Sequence, residues 1–315
     1  MKGKEKIGIW MICLIWVLVA GCSHSEDDAA VPVNKDVKTR LLTFTQVENR
    51  GSRAVLNENN HGLSALWNSG DQLGCCNLST LEDDIYVFGR ISTGTLTTQD
   101  DGVTSIFQGT MSCDQGNRLA VIYPATDFDY ELKSGECFAQ YTIILSGQDG
   151  TLEKLANSYH YMYGVATVNS VTSSMAEATG EMKSLLAVCK FSFTDGEGYT
   201  IRVKELEISY VYDGSGGNRQ IYPQGATVKC SENGYSITPD TSNDNAGFNN
   251  PLKIVINSAA DAVYVALLPV TTRTFRFNVT DANDGTYTGK AMATLQAGEY
   301  VVASIPVKMK NESGI

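Results

Sequence analysis

The sequence predicts an all-β protein built as two β-sandwiches in tandem, and three observations carry that prediction. Apolar residues recur with a period of two in segment after segment. Clusters of Gly, Asp, Asn and Ser separate these segments at intervals of roughly ten residues, the spacing of sandwich strands. Helical periodicity surfaces weakly and at one place, 151–160 (TLEKLANSYH).

Taken in order, the chain opens with Lys2, Lys4 and Lys6 ahead of an apolar run over 7–20, the layout of a secretory signal. The run is shorter than the about 20 apolar residues a spanning helix needs. It ends in Leu18-Val19-Ala20-Gly21-Cys22, which resembles a bacterial lipobox. In such signals the peptidase cuts before the cysteine, which then carries acyl chains. Residues 1–21 are therefore expected to be a lipoprotein signal peptide, and Cys22 the lipidated residue. Residues 22–36 read as a tether, too polar and acidic to order themselves. Their Glu26-Asp27-Asp28 cluster is similar to short signals that send some lipoproteins to the cell surface.

Residues 37–53 hold a strand-like segment, 41–47, in which Leu41, Thr43, Thr45 and Val47 alternate with Leu42, Phe44 and Gln46. Both faces have apolar character, which fits a strand placed centrally or buried in a groove. Arg50 and Arg53 follow in a polar run of the kind that trypsin-like proteases nick, and Ala54 comes next. Further strands are expected at 85–91, 118–123, 140–145, 161–168, 185–193, 206–212, 252–256, 262–268, 275–279 and 300–307. Turns fall at 195–198 (DGEG), 213–217 (DGSGG) and 283–285 (NDG). The polar stretch 169–181 reads as the boundary between a first sandwich, 54–172, and a second, 173–315. No sequence repeat is evident.

The composition excludes several function classes. Removing residues 1–21 leaves 294 residues and takes the net charge from −11 to −13, which argues against nucleic-acid partners. Six cysteines remain beyond Cys22, at 75, 76, 113, 137, 189 and 230. An exported chain permits disulfides, but none of the six stands in a CxxC spacing and the chain has three histidines, so structural cysteines, free or bridged, are expected and no metal. Cys75 and Cys76, adjacent in a strand, would face opposite ways, and Cys189 falls on an apolar face. No GxSxG elbow, HExxH, P-loop or dinucleotide fingerprint occurs. The chain is therefore expected to be no enzyme and to need no cofactor. Tyrosines and Trp67 leave room for sugar stacking, hence a second reading as a surface-tethered glycan-binding lipoprotein.

Several segments together resemble the fimbrillin family, the lipoprotein-derived type V pilins and related subunits of Bacteroidales. They are the lipobox, the strand ending in Arg53-Ala54, 67–74 (WNSGDQLG), 107–109 (FQG), 120–124 (AVIYP), the strand at 185–193 and 297–300 (AGEY). The resemblance implies two transthyretin-like β-sandwich domains, arrival at the outer membrane through the Cys22 lipid, and cleavage after Arg53 or, second, Arg50. Loss of the first strand, with Leu41, Leu42, Phe44 and Val47, would open a groove for a strand from another fimbrial subunit. An exposed sheet edge is a template for such pairing. The short segment after the last strand points to a tip, accessory or anchor subunit rather than a shaft. A host or bacterial surface receptor or glycan would then be the adhesive partner.

Overall fold

Strands dominate the computed structural model, which describes residues 38–46, 55–59, 62–82, 90–98, 101, 105–125, 129–133, 136–214, 217–240 and 250–310. The first half contributes β1 (Thr39–Gln46), β2 (Val55–Asn59), β3 (Gly62–Leu66), β4 (Gln72–Glu82), β5 (Arg90–Thr98), β6 (Ile106–Ser112), β7 (Arg118–Tyr123), β8 (Asp129–Lys133) and β9 (Glu136–Ile144). After α1 (Leu152–Ser158) come β10 (Met162–Val171) and β11 (Met175–Ser184). The second half contributes β12 (Ala187–Thr194), β13 (Val203–Gly214), β14 (Gly217–Ile221), β15 (Gly225–Ser231), β16 (Gly234–Pro239), β17 (Leu252–Ala260), β18 (Val263–Leu267), β19 (Val270–Asp281), β20 (Thr286–Leu295) and β21 (Tyr300–Met309). The all-β class and its two tandem assemblies are as the periodicity predicts. The single described helix lies where helical spacing surfaced, and the Thr151 hydroxyl caps it by accepting from Lys154 N at 3.1 Å.

Seven strands close a barrel in the order β1-β11-β10-β7-β4-β5-β6, with β6 returning to β1. Closure leaves no free sheet edge. The inward face of each strand feeds one core, in which Trp67, Leu73, Leu96, Phe107, Met111, Leu119 and Met182 are buried. Gly109 on β6 lies hard against β5: a Cβ there would clash with the Thr95 carbonyl oxygen.

The second half repeats the same order of strand pairings, in an open sheet rather than a closed ring. In the barrel, β1 lies between β11, parallel, and β6, antiparallel; β4 pairs with β5 and β7, and β10 links β7 to β11. In the second assembly, β12 lies between β21, parallel, and β18, antiparallel; β13 pairs with β17 and β19, and β20 links β19 to β21. The duplication is one of topology, invisible as a sequence repeat.

The stretch 169–181, expected as an inter-module boundary, is instead the hairpin of β10 and β11, and its second strand pairs with β1. Its polarity is that of a hairpin with one solvated face. The chain leaves the barrel only after Ser184. Conversely, β8 and β9 leave the first half to join β15 and β16 in a four-stranded sheet, with β9 antiparallel to β15. A second, larger core results, running from Leu78 and Tyr141 to Phe193, Phe277 and Ile305. Strand β4 separates the two cores: Cys75 faces the barrel interior and Cys76 the larger core. Among the expected strands, 85–91 lies outside the described residues apart from its last two, which open β5.

The second assembly is also completed by the first half. Gln148 is buried and works as a surrogate strand for β18: its Nε2 donates to the Ala266 carbonyl at 3.0 Å and its Oε1 accepts from Ala266 N at 2.7 Å. Gly150, at φ +80°, accepts from Tyr264 N at 2.9 Å and lies flat against Val263 and Ile256.

Candidate assembly site around the first strand

Strand β1 fills one stave of the barrel. Residues 41–46 register with 175–180 of β11, and residues 39–45 with 112–106 of β6. The expected strand is thus paired on both flanks. Its two faces differ: Arg40, Leu42, Phe44 and Gln46 are buried, while Leu41 is 42% exposed. Val47 lies outside the described residues.

Size complementarity explains why this segment fits. Leu42 lies beside Ala176 and Gly109, and Phe44 beside Ala178 and Phe107. Small β11 residues leave room for large β1 residues, so the layers interdigitate. The Phe44 and Phe107 ring centroids are 6.2 Å apart. Burial of Leu42 and Phe44 contributes about 1.5–3 kcal/mol each.

Polar side chains fasten both ends of the inward face. Arg40 donates from Nε to the Thr172 carbonyl at 2.7 Å, and from Nη1 to the Lys38 carbonyl at 3.1 Å and to the Cys113 carbonyl. The same Nη1 lies 2.8 Å from Asp114 Oδ1. At the other end, Gln46 Oε1 accepts from the Trp67 indole nitrogen at 2.8 Å. A buried guanidinium satisfied this fully holds its strand in register, since a one-residue slip would turn it out to solvent.

Trp67 is fully buried, with its ring edge-on to Phe107 at 4.9 Å and Tyr123 at 5.2 Å. It is a wall of the β1 seat and offers no face for stacking a sugar, which removes the residue on which the glycan-binding reading leaned. Without β1, the seat would present two unpaired strand edges flanking Phe107, Met111, Ala176, Ala178 and the Trp67 indole N–H.

Chemically reactive groups are scarce near the seat. Burial pushes the Cys75 and Cys113 thiols up, and those of Cys189 and Cys230 up to about 12. These cysteines are therefore neutral thiols at ordinary pH, free and buried. His160 is buried, with Nε2 3.0 Å from Ser184 Oγ. Among the described residues no three His, Cys, Asp or Glu gather as a metal site, and no helix is long and apolar enough to cross a membrane.

The remaining residues singled out from the sequence, Cys22, Arg50, Arg53 and Ala54, lie outside the described residues, as do His24 and His61. What sequence reading missed is Arg40 and Gln46, polar residues on the buried face. The partners that keep them there stand far away in the chain.

No protein-family description and no curated protein matches the chain. Solved structures do. A "putative cell adhesion protein" from Bacteroides uniformis ATCC 8492 superposes with a TM-score of 0.51 at 14% identity, over 86% of this chain and 96% of that one. Another described in the same words, from Bacteroides ovatus ATCC 8483, gives 0.48 at 15% identity, over 88% and 97%. A fimbrial protein from the same ovatus strain gives 0.38 at 11% identity, over 85% of this chain and 50% of that one. At such identities the likeness speaks to fold, and the fold statement rests on the first. The chain is a two-part β-protein of the architecture seen in that Bacteroides structure, in keeping with the fimbrillin resemblance.

Proposed function

We propose that this protein is a non-enzymatic subunit of a cell-surface fimbrium, joined to its neighbour by strand exchange at the β1 seat. The observation that supports this best is the position of β1. It is the first described strand, a complete stave of a closed barrel, and the segment immediately before the Arg50 and Arg53 sites. Cutting after Arg53 would sever the strand from everything that follows. After that cut, β1 would cover the apolar groove through non-covalent contacts alone.

On this reading the Cys22 lipid delivers the precursor to the outer membrane, a protease cuts after Arg53 or Arg50, and a strand from another subunit replaces β1. The cost of leaving two sheet edges and an apolar groove open drives the exchange. The last strand, β21, is paired along β12 and again with β20. Unlike β1, which the proposed cut frees from the rest of the chain, β21 keeps both its pairings and its chain connection, so we read the protein as a tip, accessory or anchor subunit rather than a shaft. Such a subunit would carry adhesion to a surface receptor or glycan.

The test uses a protein of residues 23–315 treated briefly with trypsin and incubated with a fluorescent peptide of residues 38–47. Cleavage after Arg53 or Arg50 should permit slow incorporation of the peptide in place of β1, whereas the uncut protein should take up none. A cut protein that excludes the peptide over days would overturn the reading.

A further inference from the structure

One carboxylate in the structure gathers more partners than its exposed position requires. Glu58, on β2, accepts from Lys190 Nζ on both oxygens, at 2.9 and 2.8 Å. Its Oε2 also accepts from the Tyr264 hydroxyl at 2.5 Å, and its Oε1 from the Tyr300 hydroxyl at 2.7 Å. The three donors stand on β12, β18 and β21, three adjacent strands of the second assembly. Lys190 is further fixed 5.4 Å above the Tyr264 ring.

The hairpin that carries Glu58 needs such a fastening. Among the described residues, β2 and β3 pair only with each other, and an isolated two-stranded hairpin is marginal in water. Two residues before Glu58, and so on the same face, Leu56 is buried in the larger core. The hairpin then leads from Leu66 directly into Trp67, the wall of the β1 seat.

We propose that Glu58 is a positioning residue for the strand-exchange site: it latches the β2–β3 hairpin to β12, β18 and β21, and so holds Trp67 in place when β1 departs. This rests on the proposed function. Once the chain is cut after Arg53, the hairpin becomes the N-terminal segment, where chains ordinarily fray. Departure of β1 also removes Gln46, the partner of the indole N–H. The latch then remains, together with Leu56 in the larger core, to keep the groove shaped for an incoming strand, so that binding need not pay to reorder it.

Two variants of opposite charge change separate a latch from a general electrostatic effect: Glu58→Gln and Lys190→Met. Trp67 is the one tryptophan beyond residue 16, so its fluorescence reports the seat directly. In the uncut protein of residues 23–315, both variants should exchange amide hydrogens in 55–66 at least about tenfold faster, the scale of losing charge-assisted hydrogen bonds. Exchange in 162–184 should be unchanged, showing that the barrel is folded. After trypsin, both should take up the 38–47 peptide about tenfold more slowly, with a shifted Trp67 emission before the peptide is added. Unchanged hydrogen exchange in 55–66 would overturn the latch. Faster exchange with unaltered peptide uptake would overturn its positioning role. If the wild-type protein takes up no peptide, the proposed function fails, and the latch is judged by hydrogen exchange and by Trp67 emission alone.

Discussion

Replacing Phe44 by alanine gives the sharpest energetic test of β1 as a separable stave. The side chain is 1% exposed and packs in the barrel core beside Phe107. Deleting it should cost about 3–5 kcal/mol. If β1 detaches as a unit, the loss falls mainly on its docking, and the free energy of opening that seat drops by the same amount. At 1.4 kcal/mol per factor of ten, even the lower value makes opening about a hundredfold more frequent. Hydrogen exchange with mass spectrometry should therefore show amides of 106–112 and 175–184 exchanging about a hundredfold faster in Phe44→Ala. Amides of β13 and β19 should keep their wild-type rates. Thr45→Ala, on the exposed face of the same strand, should change neither by more than about twofold. Equal acceleration of β13 and β19 would mean that β1 comes away only with global unfolding, and would refute the reasoning.

Three further outcomes follow from the same geometry. Arg40→Met should lower stability in urea by about 3 kcal/mol, because the Asp114 carboxylate and three carbonyl groups lose their shared donor. Gln148→Leu should cost about 2 kcal/mol or more in the same assay, since both backbone groups of Ala266 lose their partner. The Lys190, Tyr264 and Tyr300 hydrogen bonds hold the Glu58 carboxyl down at about 2, against its ordinary 4.5. A folded-state value below the unfolded one stabilises above pH 4.5 and is lost as pH falls towards 2. The difference in urea midpoint between wild type and Glu58→Gln should thus be constant from pH 7 to 5 and shrink between pH 4.5 and 2.

How much of this was legible in the sequence depended on whether a strand has one wet face. Segments 187–193 and 275–279 alternate because one side meets core and the other is partly exposed. By contrast, β4 (QLGCCNLSTLE) shows no alternation, because it lies between two cores and buries both Cys75 and Cys76. Strand β11 (MAEATGEMKS) hides for the opposite reason. Its inward residues beside β1 are Ala176, Ala178 and Gly180, small because Leu42, Phe44 and Gln46 lie there, and its one large inward side chain, Met182, comes only near the end of the strand. A strand whose apolar volume is supplied by its neighbour reads as a polar linker. The β1 site was half legible: Leu42 and Phe44 follow from periodicity, whereas Arg40 and Gln46 depend on Asp114 and Trp67, 74 and 21 residues away. Topological duplication left no trace in residue types, since a circuit of strands constrains hydrogen-bonded order and not identity.

The identity of the first residue of the protein on native cells tests the central claim most directly. Mass spectrometry of surface-sheared material should find chains that begin at Ala54, with residues 22–53 absent and the β1 seat occupied by another subunit's strand. Chains that begin uniformly at an acylated Cys22, with 39–46 still in place, would contradict assembly through this site.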